Sequence, residues 1–210
     1  DLTIGLMYSL LRATHISNLK LHNGQWERHI GRRLKECTVG IVGVGKIGYR
    51  VANELEKIGT KNILLSDIRR DYDLSRHPSM KWAELDEVLK FSDVITFHLP
   101  LTSQTNNLIS EKELRVMKSD AVLVNTSRGG IINEDGLYKV LKSGHLFGAA
   151  LDVFREEPYY GKLIDIDRCL LTAHTASMTI DCRTYMEYQA IHEVISFSKG
   201  EPLNFEIPDY

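Results

Sequence analysis

The sequence predicts an α/β protein built on a doubly wound parallel sheet, and three observations lead there. Six short apolar runs recur along the chain, the stretches between them carry helical periodicity and helix caps, and several runs are apolar at consecutive positions rather than alternating. Runs of that kind are strands buried on both faces. Strand followed by helix, repeated, implies right-handed crossovers that place helices on both sides of the sheet.

In order, residues 2–31 read as an N-terminal helical arm that ends near Trp26, and the first strand is "TVGIVG" at 38–43. The helix after it places Ile47, Val51, Leu55 and Ile58 on one face at a 3.6-residue period. Further strands are read at 62–67 (NILLSD), 93–99 (DVITFHL), 121–127 (AVLVNTS), 148–154 (GAALDVF) and 169–174 (CLLTAH). Ser110 with Glu113 forms a capping box before Leu114 and Met117, while Asn133 caps a helix that stops at Gly144. A last helix spans 178–199, stopped by Gly200 and Pro202. The expected organisation is an arm and linker at 1–36, a nucleotide-binding domain at 37–177, and a C-terminal helix with a returning segment at 178–210.

Bulk properties exclude several classes of function. The 210 residues are 43% hydrophobic and 26% charged with net charge −2, an ordinary globular composition without a basic footprint for nucleic acid or anionic membrane. The opening apolar run is too short for a membrane span, and no secretory leader is legible. Cys37, Cys169 and Cys182 are widely spaced and odd in number, which suits reduced thiols in a cytoplasmic protein. His15, His22 and His29 recur every seven residues, but Gly24 and Trp26 interrupt the helix and no H-E-x-x-H motif or carboxylate cluster accompanies them, so no metal site is expected. Tyr185 and Tyr188 on the last helix read as packing residues.

Gly43, Gly45 and Gly48 match G-x-G-x-x-G between a strand and a helix. The first glycine permits the tight turn, the second lets backbone N–H groups approach a pyrophosphate, and the third allows close packing of helix on strand. The helix N-terminus supplies a favourable field for the phosphates. Asp67 follows the last glycine by about 20 residues at the end of the second strand, where a carboxylate accepts ribose hydroxyls and repels a 2′-phosphate. This Rossmann-type arrangement favours NAD, although Arg69 and Arg70 next to Asp67 would suit NADP.

Chemistry is then sought at the carboxyl ends of the later strands. Arg128 follows one strand, Asp152 and Glu157 the next, and His174 the last. Arginine offers a rigid fork of donors for a carboxylate, histidine exchanges a proton near neutral pH, and a glutamate beside it favours the protonated imidazole. Together they suit hydride chemistry on a 2-oxo acid.

"VGIVGVGKIG", "HLPLTSQT", "LVNTSRGGIINEDGLYKVLKSG", "GAALDVFREEP" and "LLTAHTAS" resemble the coenzyme-binding domain of the NAD-dependent D-2-hydroxyacid dehydrogenases, which include D-3-phosphoglycerate, glycerate and D-lactate dehydrogenases. The resemblance covers nearly the whole chain. It implies that Arg128 binds the substrate carboxylate, that His174 is the acid/base and that Glu157 pairs with it. It also implies that Asp152 contacts the nicotinamide end and that Leu99, Pro100, Thr105, Thr126 and Ser127 line the cofactor cleft, to which Lys46, Ile47 and Ala176 are also assigned. Two departures concern loop shape: Ala173 stands where the family usually has proline, and "YYGK" after Glu157 is short.

The resemblance further implies a separate substrate domain that these residues do not contain, so that the chain is expected to be a coenzyme domain of a larger enzyme. An initial Asp rather than Met agrees with that expectation. A homodimer is expected because the apolar arm around Leu6, Leu10 and Leu11 has no evident home on the sheet. The expected function is hydride transfer between NAD(H) and a small D-2-hydroxy or 2-oxo acid, with the phosphoglycerate dehydrogenase kind as one expected form. The alternative is a non-catalytic, NAD-responsive corepressor of the same fold.

Overall fold

The computed structural model describes residues 1–205; residues 206–210, the end of the expected returning segment, lie outside the described residues. The chain divides into two compact units, Asp1–His174 and Thr175–Tyr210.

The first unit holds a seven-stranded sheet in the order β3-β2-β1-β4-β5-β6-β7, every pair parallel. Its strands are β1 (Thr38–Val42), β2 (Asn62–Ser66), β3 (Met80–Trp82), β4 (Val94–Phe97), β5 (Val122–Asn125), β6 (Gly148–Leu151) and β7 (Cys169–Leu171). Six of the seven were legible as apolar runs. The three-residue edge strand β3 was not, because it is too short to show a period.

The doubled burial inferred from consecutive apolar residues is realised as two cores. Val39, Ile41, Ile63, Leu65, Val122 and Val124 face one core, and their neighbours Val42, Leu64, Leu123 and Leu151 face the other. A strand alternates sides at every residue, so a sheet covered on both faces favours apolar side chains at consecutive positions. Helices α4 (Leu85–Phe91), α5 (Glu111–Val116) and α6 (Glu134–Lys142) supply Val88, Leu89, Leu114, Leu137, Val140 and Leu141 to the second core. The Ser110–Glu113 capping box forms as expected, and Asn133 Oδ1 accepts from Gly136 N–H at 2.7 Å to start α6.

The first core is closed by α3 (Lys46–Ile58) and by the N-terminal arm, and here the structure corrects the sequence reading. The arm is two helices, α1 (Leu2–Leu11) and α2 (Thr14–His22), separated by Ala13 in the left-handed region at φ 49°. It ends at His22, short of Trp26. Leu6, Met7, Leu10 and Leu11 are buried, and α1 lies against β5 and β6. The arm therefore has a home on the sheet, and the argument from its apolar residues to a homodimer falls. Ile47 is corrected as well: it is exposed at the start of α3, and Gly48, Val51, Ala52 and Leu55 form the buried stripe.

The second unit is chiefly α7 (Ile180–Lys199), capped by Thr179 and ended by Gly200 at φ 69°. Tyr185 and Tyr188, expected as packing residues, are exposed, because this unit contains no second element to bury them among the described residues. No helix among the described residues is long and apolar enough to cross a membrane.

Candidate active site

Strand order reverses between β1 and β4: the chain runs outward from β1 to β3, then returns to build β4–β7 on the other side. A crevice opens at the carboxyl ends of the strands at such a point. Each glycine of the loop after β1 has its own steric role. Gly43 has φ +91° and lies against the His98 carbonyl, which a Cβ would approach to 2.5 Å. A Cβ on Gly48 would sit 2.0 Å from the Gly43 carbonyl oxygen, so only glycine lets the helix start so close to the strand. Gly45, the N-cap of α3, has open space where a Cβ would be. The first turn of α3 carries no acidic residue, and Lys46 and Ile47 are exposed there. An anion would meet free N–H groups and no opposing carboxylate on that turn.

Asp67 stands immediately past β2. Its Oδ2 accepts from Val44 N–H in the glycine loop at 2.6 Å, and its Oδ1 accepts from Arg69 N–H at 2.9 Å. The carboxylate thus braces the loop while lone pairs remain for ribose hydroxyls. Arg70 is engaged by Glu84 and lies over the Trp82 ring. Arg69 is exposed. After β4, Leu99 is half-buried against Gly43. Thr105 Oγ1 donates to the Pro100 carbonyl at 2.6 Å and accepts from Thr102 N–H at 2.8 Å, so this hydroxyl shapes its own loop.

Past β5 the chain makes a turn built by Asn125, whose Oδ1 accepts from Ser127 N–H at 3.0 Å and Ser127 Oγ at 2.8 Å. Its amide Nδ2 donates to the Arg128 carbonyl at 2.9 Å. Thr126 Oγ1 lies 2.7 Å from Thr3 Oγ1 on α1. The Arg128 guanidinium is exposed and donates to the Ser127 carbonyl at 2.7 Å. Sequence reasoning assigned no role to Asn125, although an Asn at a strand end ahead of a polar turn is the signal for such a side-chain-closed loop.

Asp152, first residue past β6, is fully buried; Thr172 Oγ1 donates to its Oδ1 at 2.6 Å, and its carbonyl accepts from His174 N–H at 2.8 Å. His174 is a non-glycine residue in the left-handed region, at φ 52°. A strained conformation of this kind, costing about 1–3 kcal/mol, persists where surrounding bonds over-determine it. The His174 Nδ1 lies 2.8 Å from Glu157 Oε2, and Glu157 Oε1 accepts from Phe154 N–H at 3.0 Å. The hydrogen bond with His174 holds the Glu157 carboxyl below its ordinary pKa, with smaller help from Phe154 N–H. A carboxylate at Nδ1 places a proton there and leaves Nε2 as the atom that gives or takes a proton. A cleft of about 620 Å³ beside the pair is lined by Phe154, Pro158, Tyr159, Ile164, Leu171 and Ala173. Both places where the sequence departs from the family pattern, Ala173 and the short segment after Glu157, border it.

The structure therefore gathers the glycine loop, Asp67, Leu99, Pro100, Thr105, Thr126–Arg128, Asp152 and the Glu157–His174 pair at one end of one sheet. Ala176 falls in the second unit and is exposed.

Comparison with known proteins agrees with this geometry. Residues 4–176 match the family described as D-isomer specific 2-hydroxyacid dehydrogenase, NAD binding domain. The chain is 38% identical over 210 residues to a glyoxylate reductase of Thermofilum pendens, covering 96% of this chain and 62% of the relative. It is 36% identical to a glyoxylate reductase of Thermococcus litoralis, covering 96% and 63%. Among solved structures, a glyoxylate reductase from Paecilomyes thermophila superposes with a TM-score of 0.89 at 32% identity, over 99% of this chain and 64% of that one. A D-lactate dehydrogenase from Aquifex aeolicus, complexed with NAD and lactic acid, gives 0.86 at 27% identity over 95% and 65%. The chain thus spans less than two thirds of the length of these relatives. With the glycine loop, the strand-end constellation and the matched residues in agreement, this chain belongs to the D-isomer specific 2-hydroxyacid dehydrogenase family, and residues 4–176 are its NAD-binding domain.

Proposed function

We propose that the chain is the coenzyme half of an NAD-dependent reductase of small 2-oxo acids, with glyoxylate the first substrate to test. The Glu157–His174 pair, fixed on both carboxylate oxygens, is the observation that carries this reading. The nicotinamide, when bound, supplies the hydride. Arg128 holds the substrate carboxylate with its planar fork. His174 delivers the proton to the carbonyl oxygen from Nε2, and Glu157 keeps the ring oriented through Nδ1. Asp67 selects NADH by accepting from the ribose and opposing a 2′-phosphate.

Arg128 is exposed and the His174 side chain is 51% exposed, so a substrate held between them would still lie in water. A separate substrate domain supplies the other wall in this reading. Glyoxylate reductases and D-lactate dehydrogenases among the relatives support a small 2-oxo acid over 3-phosphoglycerate in particular, and none of them supports the corepressor alternative. A homodimer, if formed, draws on exposed Leu19, Leu21, Trp26 and Ile30 rather than on α1; a monomer mass in sedimentation at micromolar concentration would remove it.

The test combines calorimetric titration of the chain with NADH and NADPH, and assays of NADH oxidation by the full-length protein with glyoxylate, hydroxypyruvate and pyruvate. The expected result is NADH binding and turnover of at least one of the three. Absence of NADH binding overturns the reading.

A further inference from the structure

We propose that Thr3 is a positioning residue that orients the Thr126 hydroxyl and, through it, the nicotinamide half of the bound dinucleotide. This rests on the NAD-binding reading above and adds to it a residue of α1, an element outside the glycine loop and the strand ends.

Thr3 belongs to the inward stripe of α1 with Leu6, Met7, Leu10 and Leu11, and it is 6% exposed. Every other member of that stripe is apolar, as packing on β5 and β6 requires. A hydroxyl in such a place is costly unless it is paired. Its partner is the Thr126 hydroxyl at 2.7 Å, 123 positions away in sequence.

Thr126 is the first residue past β5, in the turn that leads to Arg128. Sheet order places β5 on the far side of β4 from the glycine loop, and β2 with Asp67 on the opposite side. A dinucleotide with its ribose on Asp67 and its pyrophosphate over Gly45 brings its nicotinamide half over the ends of β4 and β5. From β2 to β5 is three strand spacings, roughly 14 Å.

A threonine hydroxyl has one proton and two lone pairs on a free rotor. When Thr3 donates, the Thr126 proton is directed to the ligand; when Thr126 donates, its lone pairs accept from a ligand N–H. In either case Thr3 removes the rotor's freedom before the ligand arrives. Asn125 holds the same turn from within, through Ser127 and Arg128, so the two constraints meet at Thr126.

The experiment titrates the chain with NADH and with ADP-ribose, which lacks the nicotinamide, for Thr3→Val, Thr3→Ser, Thr126→Val and the double valine variant. Thr3→Val is expected to weaken NADH binding about tenfold, the worth of roughly one hydrogen bond, and to leave ADP-ribose binding within about twofold. Thr3→Ser is expected to restore NADH binding, and the double variant to bind no more weakly than Thr126→Val. NADH binding by Thr3→Val within twofold of the unsubstituted chain overturns the proposal. So does an equal loss for both ligands, which would mark a purely structural role, and Thr3→Ser keeps that comparison available should the valine variant fold poorly. An unsubstituted chain that binds neither ligand removes the NAD reading itself, a result distinct from the others.

Discussion

Gly129 packs so tightly on Phe154 that a Cβ at position 129 would lie 1.8 Å from the Phe154 carbonyl oxygen and 2.0 Å from its carbon. The residue before Gly129 is Arg128, and the N–H of Phe154 is held by Glu157. Backbone contact between these two loops thus fixes Arg128, the arginine proposed to hold the substrate carboxylate, relative to the Glu157–His174 pair. Because the obstructing atoms are backbone, neither side can give way cheaply. Gly129→Ala is expected to cost about 1–3 kcal/mol of stability by denaturant unfolding. In the full-length protein it is expected to lower turnover of the proposed 2-oxo acid substrate at least about tenfold while NADH still binds. Unchanged turnover would show that the contact does not set the site.

Replacing Glu157 tests the acid/base assignment. Its carboxyl is held below the usual glutamate range by His174, so it is an anion throughout neutral pH. Glu157→Gln removes that charge from Nδ1, and the pH profile for reduction is expected to move toward acid with little change in NADH affinity. The same depressed carboxyl has a consequence for stability. The contribution is present above the ordinary glutamate pKa of about 4.3 and is lost as pH falls through the lower folded value. Acid titration of the Gln variant should therefore lose less stability in that window than the unsubstituted chain.

Asp67 braces the glycine loop and is proposed to select the cofactor, and substitution separates the two. Asp67→Asn keeps an acceptor for Val44 N–H but removes the charge, and is expected to narrow the NADH-over-NADPH preference without loosening the loop. Asp67→Ala should narrow it too, and in addition leave Val44 N–H unpaired and lower the melting temperature by several degrees. Equal dissociation constants of the unsubstituted chain for the two cofactors would refute the role in selection.

Leu10 on α1 is completely buried between the arm and the sheet. Leu10→Ala should cost about 2–5 kcal/mol, the range for a core leucine, measured by denaturant unfolding. A loss below 1 kcal/mol would mean that α1 is an accessory arm.

The sequence by itself determined the sheet, because a strand covered on both faces is apolar at consecutive positions, and β1, β2, β4 and β5 each carry adjacent apolar residues such as Ile41–Val42, Ile63–Leu65, Val94–Ile95 and Val122–Val124. It also named the candidate site residues. Gly43, Gly45, Gly48 and Asp67 are read from spacing, and Arg128, Glu157 and His174 are read from their places after strands, since parallel strands deliver their carboxyl ends to one edge. Local caps such as Ser110–Glu113 and Asn133 lie within four residues and were legible for that reason. Only the tertiary structure decided what depends on distant partners. Leu6 and Leu10 form a helical stripe whose target, Val122 and Val124, is more than 110 positions away, and nothing in the stripe says whether a sheet or a second copy will cover it. The same holds for Thr3 with Thr126, Gly129 with Phe154 and the αL geometry of His174. Periodicity reports which face of an element is buried, whereas the identity of what buries it is set by the fold of the whole chain.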